Sequence, residues 1–122
     1  MANPNIVNVA NIYGITSTTS SVGTDLVGIL TNTSGSGKVL KVNTIIAANV
    51  SAGSSAVSIS FTLVEPTNQF THLVKNIYIP AYSSQIISAK DTSFYLQENV
   101  GICAQGTLTD GVDVIVSYEE IS

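Results

Sequence analysis

The sequence predicts an all-β protein: an antiparallel β-sandwich of jelly-roll type, built from about nine short strands with almost no helix. Apolar and polar residues alternate with a period of two through most of the chain. Gly, Pro, Asn, Asp and Ser gather between the alternating runs, where turns need them. Helical periodicity is interrupted throughout by Gly, Pro or runs of β-branched residues.

The first candidate strand is IVNVANIY (6–13), which runs into a Ser/Thr-rich spacer, and the second is DLVGILTN (25–32). In KVLKVNTIIAANV, alternation puts Leu40, Val42, Thr44, Ile46 and Ala48 on one face, with Lys41, Asn43 and Asn49 opposite. Val39 and Ile45 break that pattern, as expected of a central strand covered on both sides at one end. SAVSISFTLV alternates most cleanly: Val57, Ile59, Phe61 and Leu63 face a core, while Ser58, Ser60 and Thr62 face solvent. HLVKNIYIP (72–80), QIISA (85–89), SFYLQ (93–97) and VGICAQG (100–106) follow. The chain closes on GVDVIVSYEEIS, a half-buried strand with Val112, Val114, Val116 and Tyr118 inward. SGSG (34–37), SAGSS (51–55) and EPTN (65–68) supply turn chemistry, and Asp110 followed by Gly111 is a hairpin signal.

A chain of 122 residues is one sandwich domain, 21–122, preceded by an N-terminal arm or first strand, 1–20. Its size allows roughly two thirds of the unfolded surface to be buried. With 44% hydrophobic residues and a net charge of −4, the composition is the opposite of the disordered signature. Only 10% of residues are charged and roughly a third are Ser, Thr or Asn, so the surface is neutral and rich in hydroxyls. Lys38, Lys41, Lys75 and Lys90 are scattered and outnumbered by acids, which argues against nucleic acid as a partner. No membrane span is expected, because the most apolar run, VLKVNTIIAANV, is interrupted by Lys41, Asn43 and Asn49. MANPNIVNVANIY lacks the cationic start and apolar core of a secretory signal, so the motifs at Asn32 and Asn49 read as turns, not glycosylation acceptors.

The reactive side chains form no recognisable constellation. His72 is the lone histidine and reads as a surface or interface residue; Cys103, between Ile102 and Ala104, reads as a small buried hydrophobe. Asp91, Glu98, Asp110, Asp113, Glu119 and Glu120 lack the alternating oxygen ligands of a calcium loop. GSGK (35–38) lacks phosphate-loop spacing and leads into a strand instead of a helix, so it reads as a hairpin turn. Expectation is therefore no enzyme activity, no catalytic residues, no metal and no cofactor. The aromatics offer a possible sugar-stacking platform, although Phe61, Phe94 and Tyr118 sit in core-facing patterns and Trp is absent.

VLKVNTIIAANVSAGSSAVSISFTLV, then IYIPAYSSQIIS, then SFYLQENVGICAQG and finally DVIVSYEEIS resembles small virion structural proteins of tailed bacteriophages, including those of cyanobacterial hosts. The resemblance covers residues 36–122. Two positions depart from its pattern: Tyr82 stands where a glycine is expected, and QENV (97–100) is less acidic than the usual turn. It implies a non-enzymatic β-sandwich on the particle. The expected role is capsid decoration or cement, binding the major capsid protein as a homo-oligomer with a trimer favoured. The protein would be made in the host cytoplasm and carried on the capsid surface. A tail, fibre or baseplate component and a carbohydrate-binding adhesion module are the alternatives.

Within such a protein, function resides in interfaces. The N-terminal segment is the best candidate, with Ile6, Val7, Val9, Ile12 and Tyr13 as partner-binding residues that add as a strand to a neighbour; the alternative is that the segment pairs within its own sandwich. On this reading the strands from Asp25 onward form a self-contained set, and loss of residues 1–20 leaves the sandwich folded.

Overall fold

The computed structural model describes residues 11–51, 57–107 and 111–122. They form nine strands: β1 Ile12–Val22, β2 Val27–Asn32, β3 Val39–Asn49, β4 Val57–Val64, β5 Phe70–Ile79, β6 Ser84–Ser88, β7 Phe94–Leu96, β8 Val100–Gly106 and β9 Val112–Ile121. A 3-10 turn at Lys90–Thr92 is the helical element among the described residues. Two antiparallel sheets result. The first has the order β1-β9-β3-β6, with β7 also on β3, and the second has the order β2-β8-β4-β5. Because β6 and β7 share β3 as partner on either side of the 3-10 turn, they act as two halves of one edge strand. The nine strands thus reduce to the eight of a jelly roll.

The inner faces of the two sheets make the core. Val42, Ile45, Ala47, Val112, Val114 and Val116 from the first sheet meet Phe61, Ile102 and Ala104 from the second, all essentially inaccessible to water. Burying each large aliphatic or aromatic side chain contributes about 1.5–3 kcal/mol. With no disulfide possible from a single cysteine, this packing and the hydrogen bonds carry the fold.

One break in alternation has a local cause. The pairing of β3 with β9 shifts register between Val42 and Thr44, a bulge at Asn43. Before it, Leu40 and Val42 point inward; after it, Ile45, Ala47 and Asn49 do. Strict alternation put Thr44, Ile46 and Ala48 on the core face, and the bulge turns them to the outer face instead. The out-of-step Ile45 was the visible trace of that bulge. On β4, Thr62 faces outward as expected yet is only 4% exposed, because His72 and Cys103 flank it on the neighbouring strands.

Buried asparagines close two loops. Asn32 Nδ2 donates to the carbonyls of Lys38 and Leu96, both at 2.9 Å, while its Oδ1 accepts from Ser36 Oγ at 2.6 Å. Asn49 Nδ2 donates to the Ile79 carbonyl at 2.8 Å, and its Oδ1 accepts from the Ser51 amide at 2.9 Å. Each ties the end of a strand to a distant segment. This satisfies buried polar groups that would otherwise cost about 1–3 kcal/mol.

The N-terminal region differs most from the pattern expected of it. Residues 14–22, read as a Ser/Thr-rich spacer, are part of β1 and pair with β9 from Ile12 opposite Ile121 to Val22 opposite Val112. Val22 joins the core. β1 thus supplies β9 with one whole row of hydrogen bonds. The Asp110 hairpin signal and most of the SAGSS turn lie outside the described residues.

Candidate interaction surface

A sandwich offers neighbours its strand edges and outer sheet faces, so these determine what the protein can bind. Among the described residues four strands lie at sheet edges: β1 and the β6/β7 pair in the first sheet, β2 and β5 in the second. Three are broken or short. The β6/β7 edge is split by the 3-10 turn, with Lys90 and Asp91 at the break. Six-residue β2 has a register shift between Gly28 and Leu30. β5 carries Lys75 and an irregular stretch at Asn76, whose φ of 55° is left-handed; the Asn76 amide donates to Ser60 Oγ at 2.8 Å. Charge and bulges at an edge prevent unwanted strand addition.

β1 has none of these protections along most of its length. From Ile12 to Val22 it contains no charged residue and no proline, and its pairing with β9 is regular from Ile12 to Thr19. Irregularity is confined to its far end, where Ser21 has a φ of 58° and its amide donates to Asp113 Oδ1 at 3.0 Å.

The ladder also fixes which backbone groups are free. Asn11 and Ser122 exchange both N–H···O=C bonds at 3.0 Å. Antiparallel pairing alternates, so Tyr13, Ile15, Ser17 and Thr19 bond to β9, whereas Ile12, Gly14, Thr16 and Thr18 direct N–H and C=O away from the sheet.

On the outer face of the first sheet, the register aligns Thr18, Ile115, Ile46 and Ile86 across four strands. Ile86 is 61% exposed and Ile115 41%. The result is an apolar strip running from the β6 edge to the β1 edge. The row adjoining the strip on one side holds Asp113, Ala48 and Ser84, and two rows away on the other side lie Glu119, Lys41 and Tyr95, so charge on this face lies beside the strip and not in it.

Of the five residues expected to bind a partner, Ile6, Val7 and Val9 lie outside the described residues. Ile12 and Tyr13 open β1 and are 56% and 57% exposed, with Ile121 and Glu120 as their cross-strand partners. The isoleucine strip went unrecognised in the sequence because it depends on cross-strand register and on the bulge that turns Ile46 outward.

The remaining candidates have structural roles. His72 Nδ1 lies 3.1 Å from Thr62 Oγ1. Cys103, expected to be buried, is half-buried on the outer face beside Thr62, and desolvation pushes its thiol above its ordinary range. In GSGK, Gly35 and Gly37 have φ of 79° and 68°, and their amides donate to the two oxygens of Glu98 at 3.1 and 3.0 Å. The chain's own carboxylate thus occupies the anion-accepting turn. Lys38 pairs with Glu120, and burial together with Glu120 pushes the Tyr118 phenol up, with Lys38 partly offsetting. Among the described residues no group of three or more His, Cys, Asp or Glu side chains could hold a metal ion. The exposed aromatics Tyr13, Phe70, Tyr78, Tyr82 and Tyr95 are spread over β1, β5, the β5–β6 turn and β7.

No family model matches the sequence, and no curated protein matches it. Solved structures do. A chain from the triple jelly-roll fold and turret assembly of an archaeal virus has a TM-score of 0.54 at 17% identity, covering 94% of this chain and 30% of that one. The chain therefore spans about a third of that viral protein's length. A chain from the acid-stable capsid of Helicobacter pylori bacteriophage KHP30 has a TM-score of 0.51 at 11% identity, covering 94% and 90%. A chain from Bacillus endospore appendages, described as disulfide-linked pili, has a TM-score of 0.50 at 16% identity, covering 98% of both. Identities this low establish a shared fold. The chain is a jelly-roll-like sandwich, a fold it shares with chains from two viruses and from endospore pili.

Proposed function

We propose that this protein is a non-enzymatic structural component of a virion, a decoration or cement protein that binds the major capsid protein shell as a homo-oligomer. The observation that carries the reading is the apolar strip of Ile115, Ile46 and Ile86 on an outer sheet face. Solvent-facing isoleucines in a row gain nothing for a monomer, whereas covering them against a shell releases ordered water without desolvating charge. The neutral, hydroxyl-rich remainder suits the wet rim of such a contact. The jelly-roll fold, shared with chains from an archaeal virus and a phage capsid, supports the same role. The spread of exposed aromatics over several elements gives less support to a carbohydrate-binding platform.

Co-sedimentation with shells assembled from the major capsid protein tests the proposal. The wild-type protein should pellet with shells, and Ile86→Lys or Ile115→Lys should abolish pelleting while the β-type circular dichroism spectrum is kept. Pelleting with isolated tails and not with shells would move the protein to a tail or fibre role. Failure to bind either would overturn the virion reading.

A further inference from the structure

We infer that two copies of this chain pair through β1, antiparallel, about a two-fold axis at Ile15, joining their five-stranded sheets into one. The inference deepens the homo-oligomer reading by naming the surface, and it stands whether or not the oligomer binds a capsid.

The argument begins with the free backbone groups. Ile12, Gly14, Thr16 and Thr18 present unpaired donors and acceptors along a flat, uncharged edge. Such an edge pairs with whatever strand matches it in length and straightness. Within this chain, the other edges do not match. β2 is short and shifted, β5 is charged and irregular at Asn76, and β6/β7 is interrupted. The strand that matches β1 is β1 of a second copy.

Symmetry then narrows the register, and an axis at Ile15 is the one that pairs all four outward-directed residues with one another. Outward-directed residues must meet outward-directed residues, which an axis at Ile15 achieves: Ile12 faces Thr18 of the second copy and Gly14 faces its Thr16, reciprocally. Ile15 meets its own copy in a non-hydrogen-bonded pair, where side chains approach most closely. A charge near the axis would face its like, and β1 has none. The arrangement accounts for the exposure of Ile12 and Tyr13, which come to lie beside Thr18 and Ser17 of the second copy. It also carries the apolar strip across the joint, because Thr18 ends the strip and Ile12 of the second copy lies next to it.

The test is the solution mass of the full chain and of two variants. Thr16→Pro removes an outward N–H that β9 does not use, and proline is tolerated on that side of an edge strand. Thr16→Lys keeps the backbone and places a charge near the axis. The wild-type protein should sediment at twice 12.7 kDa at micromolar concentration. Each variant should retain its β-type circular dichroism spectrum and weaken the dimer about tenfold or more. A wild-type monomer at all concentrations, a trimer, or a dimer indifferent to both substitutions would overturn the inference. A trimer would still leave the homo-oligomer reading standing, and a β1 dimer that ignores capsid shells would sink only the virion reading.

Discussion

The β1 and β5 strands are both long sheet edges, and the chain treats them oppositely. β5 is made unfit for addition: Lys75 projects from it, and Asn76 is held in a left-handed conformation by Ser60. β1 is regularly paired, uncharged and rich in Ser and Thr, with its one irregularity set beyond Thr19. Edge protection is therefore selective in this molecule, and the unprotected edge is the one we propose pairs with a second copy. The two edges also differ inward, since β5 packs Leu73, Val74 and Ile77 against the core, whereas β1 contributes Val22 near its end.

The largest expected effect concerns whether β1 is part of the fold or an appendage to it. Deleting residues 1–20 strips β9 of a partner along nearly its whole length, exposing one side of the strand that carries Val112, Val114 and Val116. Thermal unfolding of the truncated chain should lose its cooperative transition. A sharp transition near the wild-type temperature would show that β1 is dispensable to the sandwich.

Proline placement separates the two sides of β1. Ser17 donates its N–H to β9, so Ser17→Pro should cost about 3 kcal/mol or more, whereas Thr16→Pro should cost under about 1 kcal/mol. Denaturant melts of the pair, read as a shift in midpoint, check the alternation directly.

On β5, Ser60→Ala removes the hydroxyl that accepts from the Asn76 amide and donates to its Oδ1. A loss of about 0.5–1.5 kcal/mol is expected, and with it a rise in self-association as the irregular stretch relaxes toward a plain edge. Light scattering against concentration measures the second effect.

The smallest effect is a gain. Tyr82 adopts a φ of 56° in the β5–β6 turn and is 74% exposed. A non-glycine residue there costs about 1 kcal/mol, so Tyr82→Gly should raise the melting temperature by a few degrees. A lower melting temperature would mean that the ring has a packing role.

These contrasts also show where the sequence was legible. β8 was readable as VGICAQG because, from Ile102 on, buried Ile102, Ala104 and Gly106 alternate with half-buried Cys103 and exposed Gln105. The two sheets and the near absence of helix followed from the same periodicity among the described strands. β1 was misread beyond Tyr13 because an edge strand with Thr and Ser on both faces shows no hydrophobic alternation; only the β-propensity of its threonines hinted at a strand. The inner and outer faces of β3 were exchanged after Asn43 because a single bulged residue reverses every later side chain. Of the candidate interface, Ile12 and Tyr13 were visible as apolar residues near the N-terminus. The strip of Ile46, Ile86 and Ile115 was not, because its members are far apart in the chain and register alone brings them together.

Residue-level hydrogen exchange along β1 tests the central claim most directly, because it reads each backbone amide separately. Ile15 and Ser17 donate within the sheet and should be protected at every concentration. Gly14, Thr16 and Thr18 should exchange rapidly in dilute protein and become protected, in step with the dimer fraction, as concentration rises. Rapid exchange of those three amides at concentrations where the protein is fully oligomeric would contradict the account and place the self-association elsewhere on the molecule.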